Sequence, residues 1–358
     1  MTLPIQQENS MHNNKLTTRS VAISVKTGLA CLALAGSALA FPVAVLAQDG
    51  EVIEIRMQRY TGTEEDAIFE RLQDMLHTAS DGRIKLNIFR GGELVPNDQM
   101  FAALRSGTLQ AIYGYGGYWG GQMDTAVLES GIPMAWTDLD EAKELWNERG
   151  LGELLAENYA EQGVHYTVPV FGGKFDLLTK EPVESLADMS ELKIRATPSV
   201  SAVLNHFDIP TVYIPPQEFY IALSTNAIDG LIYGGPYDYS VLKLNEVATS
   251  YTEMNMLYPG FVDNVLVNQN VWNRMPEDLQ ETFMEVTAEW ADYRHQKFVE
   301  WNEEAAHLFE ITTLPENDVL AMTEAAQEVW DAEAEKSPRA AEAIEMIREM
   351  ARDKGRLE

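Results

Sequence analysis

The sequence has almost no cysteine. Its single thiol, Cys31, lies in an N-terminal segment that we predict to be removed, so the mature chain has neither a disulfide nor a thiol nucleophile. This excludes cysteine redox chemistry and catalysis by a cysteine. A lipid anchor on Cys31 is a weak alternative, because the residues before it, Gly28, Leu29 and Ala30, match a lipobox poorly.

Basic residues are also scarce. The 358 residues include 26 Lys and Arg against 56 Asp and Glu, which gives a formal net charge of −30 at pH 7. A surface this acidic will not bind nucleic acid or anionic lipid by charge. Beyond residue 50 no apolar run is as long as a membrane span. An anion would therefore have to be bound by a few cations placed locally.

No enzyme motif is convincing. Gly114 and Gly116 begin like a dinucleotide-binding fingerprint, but Trp119 stands where a third glycine lets a helix pack on the sheet. The sequence has no phosphate-binding loop, no nucleophile elbow and no His-Glu-x-x-His motif. Its histidines show no metal-ligand spacing in the predicted mature chain. These absences favour a binding protein over an enzyme, and we predict neither a cofactor nor a metal.

The N-terminus resembles an export signal. An apolar stretch at 27–47 follows three basic residues, Lys15, Arg19 and Lys26. This is the arrangement of a secretory signal peptide, and small residues favour cleavage after Ala47, with Ala40 as the alternative. We therefore predict a signal peptide at 1–47 and an exported protein. A retained N-terminal anchor is the competing interpretation.

The pattern beyond the signal predicts an α/β protein with two lobes. Residues 52–113 follow the order β-α-β-α-β, which is typical of a largely parallel sheet covered by helices. A second set of strands and helices follows between 164 and 233. An apolar stripe from Pro276 to Phe309 predicts a helix long enough to bridge both lobes.

These patterns give three regions after the signal peptide. Lobe I is predicted at 48–172, together with part of 262–358, and lobe II at 173–261. Residues 262–358 are expected to supply a strand that returns across the hinge and the C-terminal helices, including the bridging helix.

Three segments carry a family signature: LADMSELKIR at 186–195, IPTV at 209–212 and PQEFYIALSTNAIDG at 216–230. Their order and spacing resemble the core motif of solute-binding proteins of TRAP (tripartite ATP-independent periplasmic) transporters, the DctP-like family. Ser190, Ser224 and Asn226 depart from the residues usual in that motif. Weaker likeness extends over most of the predicted mature chain.

The resemblance implies a periplasmic-binding-protein-like fold, in which two α/β lobes joined by crossing strands and a long helix close on a ligand. It further implies a periplasmic, non-enzymatic transport protein, a monomer or homodimer, that delivers a small molecule to the membrane permease subunits of the transporter. A ligand-binding sensor domain with the same fold is the alternative.

Arg195 matches the ligand-clamping arginine of the family at the end of its strand. A guanidinium engages a carboxylate through two parallel, charge-assisted hydrogen bonds. In a branch of the family that binds 2-oxo acids, a metal ion is held at positions that correspond here to Ile232, Tyr233 and Lys174. Isoleucine cannot ligate a cation. We therefore expect metal-free binding of an organic acid by Arg195, with Lys174 as a second candidate.

Aromatic residues are the candidate walls of the site: Tyr60, Tyr115, Tyr118, Trp119, Phe171, Tyr233, Tyr237 and Phe261. Aromatic faces together with Glu129, Asp238 or Asp263 would instead suit an ammonium group. A zwitterion or an amine is therefore the alternative to a plain organic acid.

Overall fold

The computed structural model describes residues 52–136, 138–214, 216–254 and 261–357. The predicted signal peptide at 1–47 lies outside the described residues. Among the helices that are described, none has both the length and the apolar character needed to cross a membrane.

The first part of the chain alternates strands and helices, as its pattern predicts. The elements in chain order are β1 (Ile53–Arg59), α1 (Asp66–Ala79), β2 (Ile84–Phe89), α2 (Met100–Arg105), β3 (Ala111–Tyr115), α3 (Ala126–Glu129), α4 (Leu139–Asn147), α5 (Leu151–Glu161) and β4 (Val164–Phe171). Short 3-10 turns precede α1 and α2 and follow β3: Thr63–Glu65, Asn97–Gln99 and Gly116–Trp119.

The second part continues with short elements and then becomes mainly helical. It contains β5 (Asp176–Thr179), α6 (Leu186–Met189), β6 (Ile194–Arg195), α7 (Pro198–Asn205), β7 (Thr211–Val212), α8 (Phe219–Ser224), β8 (Gly230–Gly234), α9 (Pro236–Val241), β9 (Ser250–Glu253), β10 (Val262–Asn268), α10 (Gln269–Arg274), α11 (Glu277–Ala305), β11 (Glu310–Thr313), α12 (Glu316–Ala334) and α13 (Pro338–Asp353). The sequence patterns did not predict β9 and β11, which pair in parallel at one edge of a sheet.

These strands form two mixed sheets, with the orders β2-β1-β3-β10-β4 and β11-β9-β5-β8-β6-β7. In the first sheet β1 pairs in parallel with β2 and β3, which confirms the predicted β-α-β-α-β unit. β10 runs antiparallel to both β3 and β4. The first sheet is therefore less uniformly parallel than predicted, because β10 enters it from the direction of the second sheet.

Two segments cross directly between the sheets, from β4 to β5 and from β9 to β10, and α11 leads the chain across a third time, to β11. At the crossing, the N–H of Gly172 donates to the carbonyl of Phe261 at 2.8 Å. A Cβ atom on Gly172 would lie 2.2 Å from the ring of Phe261, so the two segments approach this closely because residue 172 has no side chain. The predicted crossing strands are confirmed. The lobe limits at 48–172 and 173–261 stay predictions.

The predicted bridging helix is α11. Its 29 residues span about 43 Å at ~1.5 Å per residue. It contacts α1 and β4 beside the first sheet and α9 beside the second. Trp290 of α11 is buried, and its indole N–H donates to the carbonyl of Ile68 in α1 at 2.9 Å. The helix ends at Ala305 and a 3-10 turn follows, so the predicted end at Phe309 was too late.

Candidate functional site

A cavity of about 1050 Å³ lies where elements of both sheets and α11 meet. From the side of the first sheet it is lined by Tyr60, Glu64, Glu65, Tyr115 and Tyr118, and from the side of the second by Arg195, Tyr213, Tyr233, Tyr237 and Asp238. Phe261 of the crossing segment, Arg294 and Phe298 of α11, and Glu328, Glu333 and Lys336 near the end of α12 also line it.

Arg195 is the most unusual residue of this cavity. It ends β6, between β7 and β8, and only 3% of its surface is exposed. Its Nε donates to the carbonyl of Ile214 at 3.1 Å, and its Nη1 donates to the carbonyl of Ile232 at 3.0 Å. The guanidinium also faces the rings of Tyr213, Phe219 and Tyr233, at 5.0, 4.8 and 5.6 Å from their centroids.

No carboxylate of the described residues pairs with Arg195. Burial lowers the pKa of its guanidinium, because removal from water destabilises the charged form. Backbone carbonyls and aromatic faces offset only part of that cost. Arg195 is therefore a fixed, desolvated cation that an incoming anion would stabilise.

Three tyrosines form the wall contributed by the first sheet. The rings of Tyr60, Tyr115 and Tyr118 pack on one another with centroid separations of 5.5 to 6.2 Å. Opposite them, the hydroxyl of Tyr237 reaches across the cavity and donates to the carbonyl of Glu64 at 3.4 Å. The cavity thus has aromatic surface on both sides, with a polar contact between them.

Most of the predicted site residues meet in this cavity: Arg195, Tyr60, Tyr115, Tyr118, Tyr233, Tyr237, Phe261 and Asp238. Trp119, Phe171 and Lys174 are not part of its lining.

Trp119 is 1% exposed and packs into the core against Phe101, with ring centroids 5.3 Å apart. It has this place because Gly114 has no side chain: a Cβ there would lie 2.4 Å from the indole. Phe171 packs edge-on against Trp146 at 5.6 Å. Lys174 is exposed, in the crossing segment after β4.

The two other carboxylates considered for an ammonium cage are buried behind the wall. Asp263 accepts hydrogen bonds from the hydroxyls of Tyr60, at 3.0 Å, and Tyr113. Glu129 accepts them from the hydroxyl of Tyr159 and from Nδ2 of Asn264 at 2.9 Å. Burial raises the pKa of each carboxyl group to about 7. Neither residue lines the cavity, so both act on it only through their neighbours.

A buried ion pair in the cavity wall was missed by the sequence analysis. Nε and Nη2 of Arg294 donate to the two carboxylate oxygens of Glu65 at 3.0 and 2.9 Å, and the side chains are 1% and 5% exposed. The guanidinium also lies 4.3 Å from the ring centroid of Phe298. The signal for it was present, because Arg294 stands in the apolar stripe of α11 between Trp290 and Phe298.

The positions that correspond to the metal site of 2-oxo acid binders carry side chains that do not form a metal site here. The side chain of Ile232 is buried, and its carbonyl accepts the hydrogen bond from Arg195. Among the residues that the structure describes, no group of three or more His, Cys, Asp or Glu is arranged to hold a metal ion.

Two mixed sheets covered by helices, with connecting segments and one spanning helix around a cavity that contains a buried arginine, are typical of two-lobed solute-binding proteins. The family model described as bacterial extracellular solute-binding protein, family 7, matches residues 60–337, and the chain belongs to that family. This confirms the predicted resemblance to the DctP-like family of solute-binding proteins. The family comprises transport proteins and not enzymes, which confirms the prediction of a non-enzymatic role.

Individual relatives support this assignment. A monocarboxylate 2-oxoacid-binding periplasmic protein from Nostoc sp. is 29% identical over 225 residues, 63% of this chain and 60% of that protein. The C4-dicarboxylate-binding periplasmic protein of Rhodobacter capsulatus is 25% identical over 294 residues, 81% of this chain and 84% of that protein. The chain therefore matches about 60% of the length of the Nostoc relative.

The fold is shared with solved structures. A TRAP periplasmic solute-binding protein from Chromohalobacter salexigens, with bound (S)-(+)-2-amino-1-propanol, has a TM-score of 0.76 at 23% sequence identity. The match covers 84% of this chain and 96% of that one. This likeness confirms the predicted architecture of two lobes with crossing strands and a long helix.

Proposed function

We propose that this protein captures a small organic carboxylate in the cavity described above, with Arg195 as the clamp, and delivers it to the membrane subunits of a TRAP transporter. The observation that supports this most strongly is the buried guanidinium without a carboxylate partner among the described residues. Two of its N–H groups donate to carbonyls, and the others are left for a ligand.

The chemistry of the relatives agrees with this proposal. The proteins from Nostoc and Rhodobacter are named for 2-oxo acids and C4-dicarboxylates, which all carry a carboxylate. A carboxylate matches the planar fork of a guanidinium and gains from charge assistance inside a site shielded from water. Metal-free binding is part of the proposal, because the isoleucine at 232 cannot ligate a cation. Lys174 is left out of the proposed clamp, because it is exposed and does not line the cavity.

Closure on the ligand follows from the way the cavity is divided. Arg195 lies on the side of the second sheet, and Tyr60, Tyr115 and Tyr118 lie on the side of the first. A ligand shifts an open-to-closed equilibrium only by its extra affinity for the closed state. A solute held by Arg195 and packed against the tyrosines has that extra affinity, because it contacts both sides at once.

Substitution of the clamp tests the proposal. A thermal-shift screen with 2-oxo acids, C4-dicarboxylates and other small acids comes first, since a ligand at 100 times its Kd stabilises the folded state by about 2.7 kcal/mol. For an acid that binds, Arg195→Lys keeps the charge but loses the fork. We expect affinity to fall by about 10- to 100-fold, because a hydrogen bond to a charged group is worth about 1.5–3 kcal/mol.

The matched control is Arg356→Lys. Arg356 also donates to a backbone carbonyl, that of Met134 at 3.1 Å, but it does not line the cavity. Calorimetry should show unchanged affinity for the control. Unchanged affinity in Arg195→Lys would refute the clamp.

We further propose that the chain is exported to the periplasm by the segment at 1–47. N-terminal sequencing of protein recovered from the periplasm should begin at Gln48, directly after the predicted cleavage at Ala47. A protein that retains this segment would contradict the proposal.

A further inference from the structure

The charges that line the cavity do not balance. Among the described residues that line the cavity, the carboxylates are Glu64, Glu65, Asp238, Glu328 and Glu333, whereas the cations are Arg195, Arg294 and Lys336. Two of the cations are already paired, Arg294 with Glu65 at 2.9 Å and Lys336 with Glu333 at 2.6 Å. The remaining cation is Arg195. The remaining carboxylates are Glu64, Asp238 and Glu328, and none of these three forms a salt bridge among the described residues.

Asp238 is the carboxylate placed inside the cavity. It lies in the first turn of α9 and is half-buried, whereas Glu64 and Glu328 are exposed. One oxygen, Oδ2, accepts the backbone N–H of Gly235 at 3.0 Å, which caps the helix. The other, Oδ1, has no hydrogen-bond partner among the described residues. Burial raises the pKa of Asp238 to about 6, as expected for an anion removed from water.

Asp238 and Arg195 act on the same part of the cavity. The carboxylate of Asp238 lies against Gly234, where a Cβ atom would be 2.4 Å from Oδ2, and Gly234 directly follows Tyr233 in β8. The guanidinium of Arg195 is 5.6 Å from the ring centroid of Tyr233. Tyr237, directly before Asp238, adds another aromatic face to the lining. An acidic oxygen beside tyrosine rings is suited to an ammonium group.

We infer that the solute is a zwitterion, whose carboxylate binds Arg195 and whose ammonium or other N–H cation binds the Oδ1 atom of Asp238. The inference rests on the proposed carboxylate clamp and adds a second charged contact to it. A dicarboxylate would leave Asp238 facing a like charge, whereas a zwitterion meets a fixed charge of opposite sign at each end.

Pairs of probes that differ only in the amino group test this inference. Alanine is compared with propionate, 4-aminobutyrate with butyrate, and proline with cyclopentanecarboxylate, by calorimetry on the full mature protein. In the wild type, at least one amino-bearing probe should bind 10-fold or more tighter than its partner. Asp238→Asn should abolish that preference, while the plain acids bind as well as before or more tightly.

The substitution preserves the helix cap, because the carbonyl oxygen of asparagine still accepts the N–H of Gly235. Asp188→Asn is the matched control: Asp188 also accepts a backbone N–H at a helix start, that of Glu184 at 3.0 Å, but lies outside the cavity. It should leave every affinity unchanged.

The outcomes separate the two proposals. A purely structural role for Asp238 would weaken both members of a pair alike, and this result would overturn the inference. A wild type that prefers the plain acids would also overturn it, yet would leave the carboxylate clamp standing. If Arg195→Lys binds all the probes as well as the wild type does, the clamp itself is refuted.

Discussion

The buried pair of Arg294 and Glu65 gives the sharpest stability prediction. Replacing Arg294 with methionine preserves much of the apolar volume but leaves the carboxylate of Glu65 buried without its cation. Breaking a buried ion pair by removing one partner costs about 3–5 kcal/mol. We expect Arg294→Met to lose this much free energy of unfolding, measured by urea denaturation at neutral pH.

The loss should also depend on pH. Burial raises the pKa of Asp263 to about 7, and the charge of Arg294 holds it below a still higher value. Without Arg294 that pKa rises further. A carboxyl group with a raised pKa contributes stability that is present at low pH and is lost as the pH rises through its folded-state pKa. Arg294→Met should therefore be more destabilising at about pH 8 than at about pH 5.5.

A double-mutant cycle isolates the interaction. Glu65→Gln combined with Arg294→Met removes both charges, so the double variant should be more stable than Arg294→Met alone by well over 1 kcal/mol, on the order of coupling energies for residues in contact. The exposed pair of Arg83 and Asp278, at 2.5 Å, serves as the comparison. Arg83→Met should cost less than about 1 kcal/mol. A coupling energy for the buried pair below about 1 kcal/mol, the upper range for exposed ion pairs, would refute the reasoning.

Two further predictions concern the core beside the cavity. Gly116→Ala should lower the free energy of unfolding by about 1–3 kcal/mol, because its Cβ would lie 2.2 Å from the carbonyl oxygen of Ala126. The control is Gly121→Ala, whose Cβ would meet nothing within 4 Å and which should be nearly neutral in the same thermal unfolding assay. Glu129→Gln should remove a pH dependence, because burial raises the pKa of Glu129 from its ordinary value of 4.5 to about 7. Between about pH 4.5 and pH 8 the wild type should therefore lose up to about 3 kcal/mol of stability relative to the variant. Parallel stability curves for the two proteins would contradict this second prediction.

The elements with strong periodicity were predictable, and those whose existence depends on distant partners were not. The stripe of α11 and the alternation of β1 are local patterns that fix their own secondary structure. β9 and β11 are four residues each, and they pair with each other although β10, α10 and α11 lie between them in the chain. Nothing within four residues specifies such a partner, because strand pairing is decided by the tertiary packing.

The same distinction explains the predicted site. The position of Arg195 at the end of a strand was predictable because a motif fixes it, and Arg195 does end β6. Its role as the clamp stays a proposal. Trp119 was predicted in the cavity lining because the sequence of a glycine-rich loop does not show which way its aromatic side chains point. In the structure its indole packs into the core, in the space left by the missing side chain of Gly114.

Asp238 could be named from the sequence, but the sequence gives no physical reason to prefer it to Glu129 and Asp263. All three are carboxylates near aromatic residues in an acidic chain. They differ in the hydrogen bonds that their oxygens already accept from the protein. Two tyrosine hydroxyls donate to Asp263, and Tyr159 and Asn264 donate to Glu129, so these oxygens are committed to the protein. Asp238 has one backbone donor. Among the described residues nothing donates to its other oxygen, which can therefore accept a hydrogen bond from a bound cation in the cavity. The choice among the carboxylates is thus made by their hydrogen bonds, which only the three-dimensional arrangement shows.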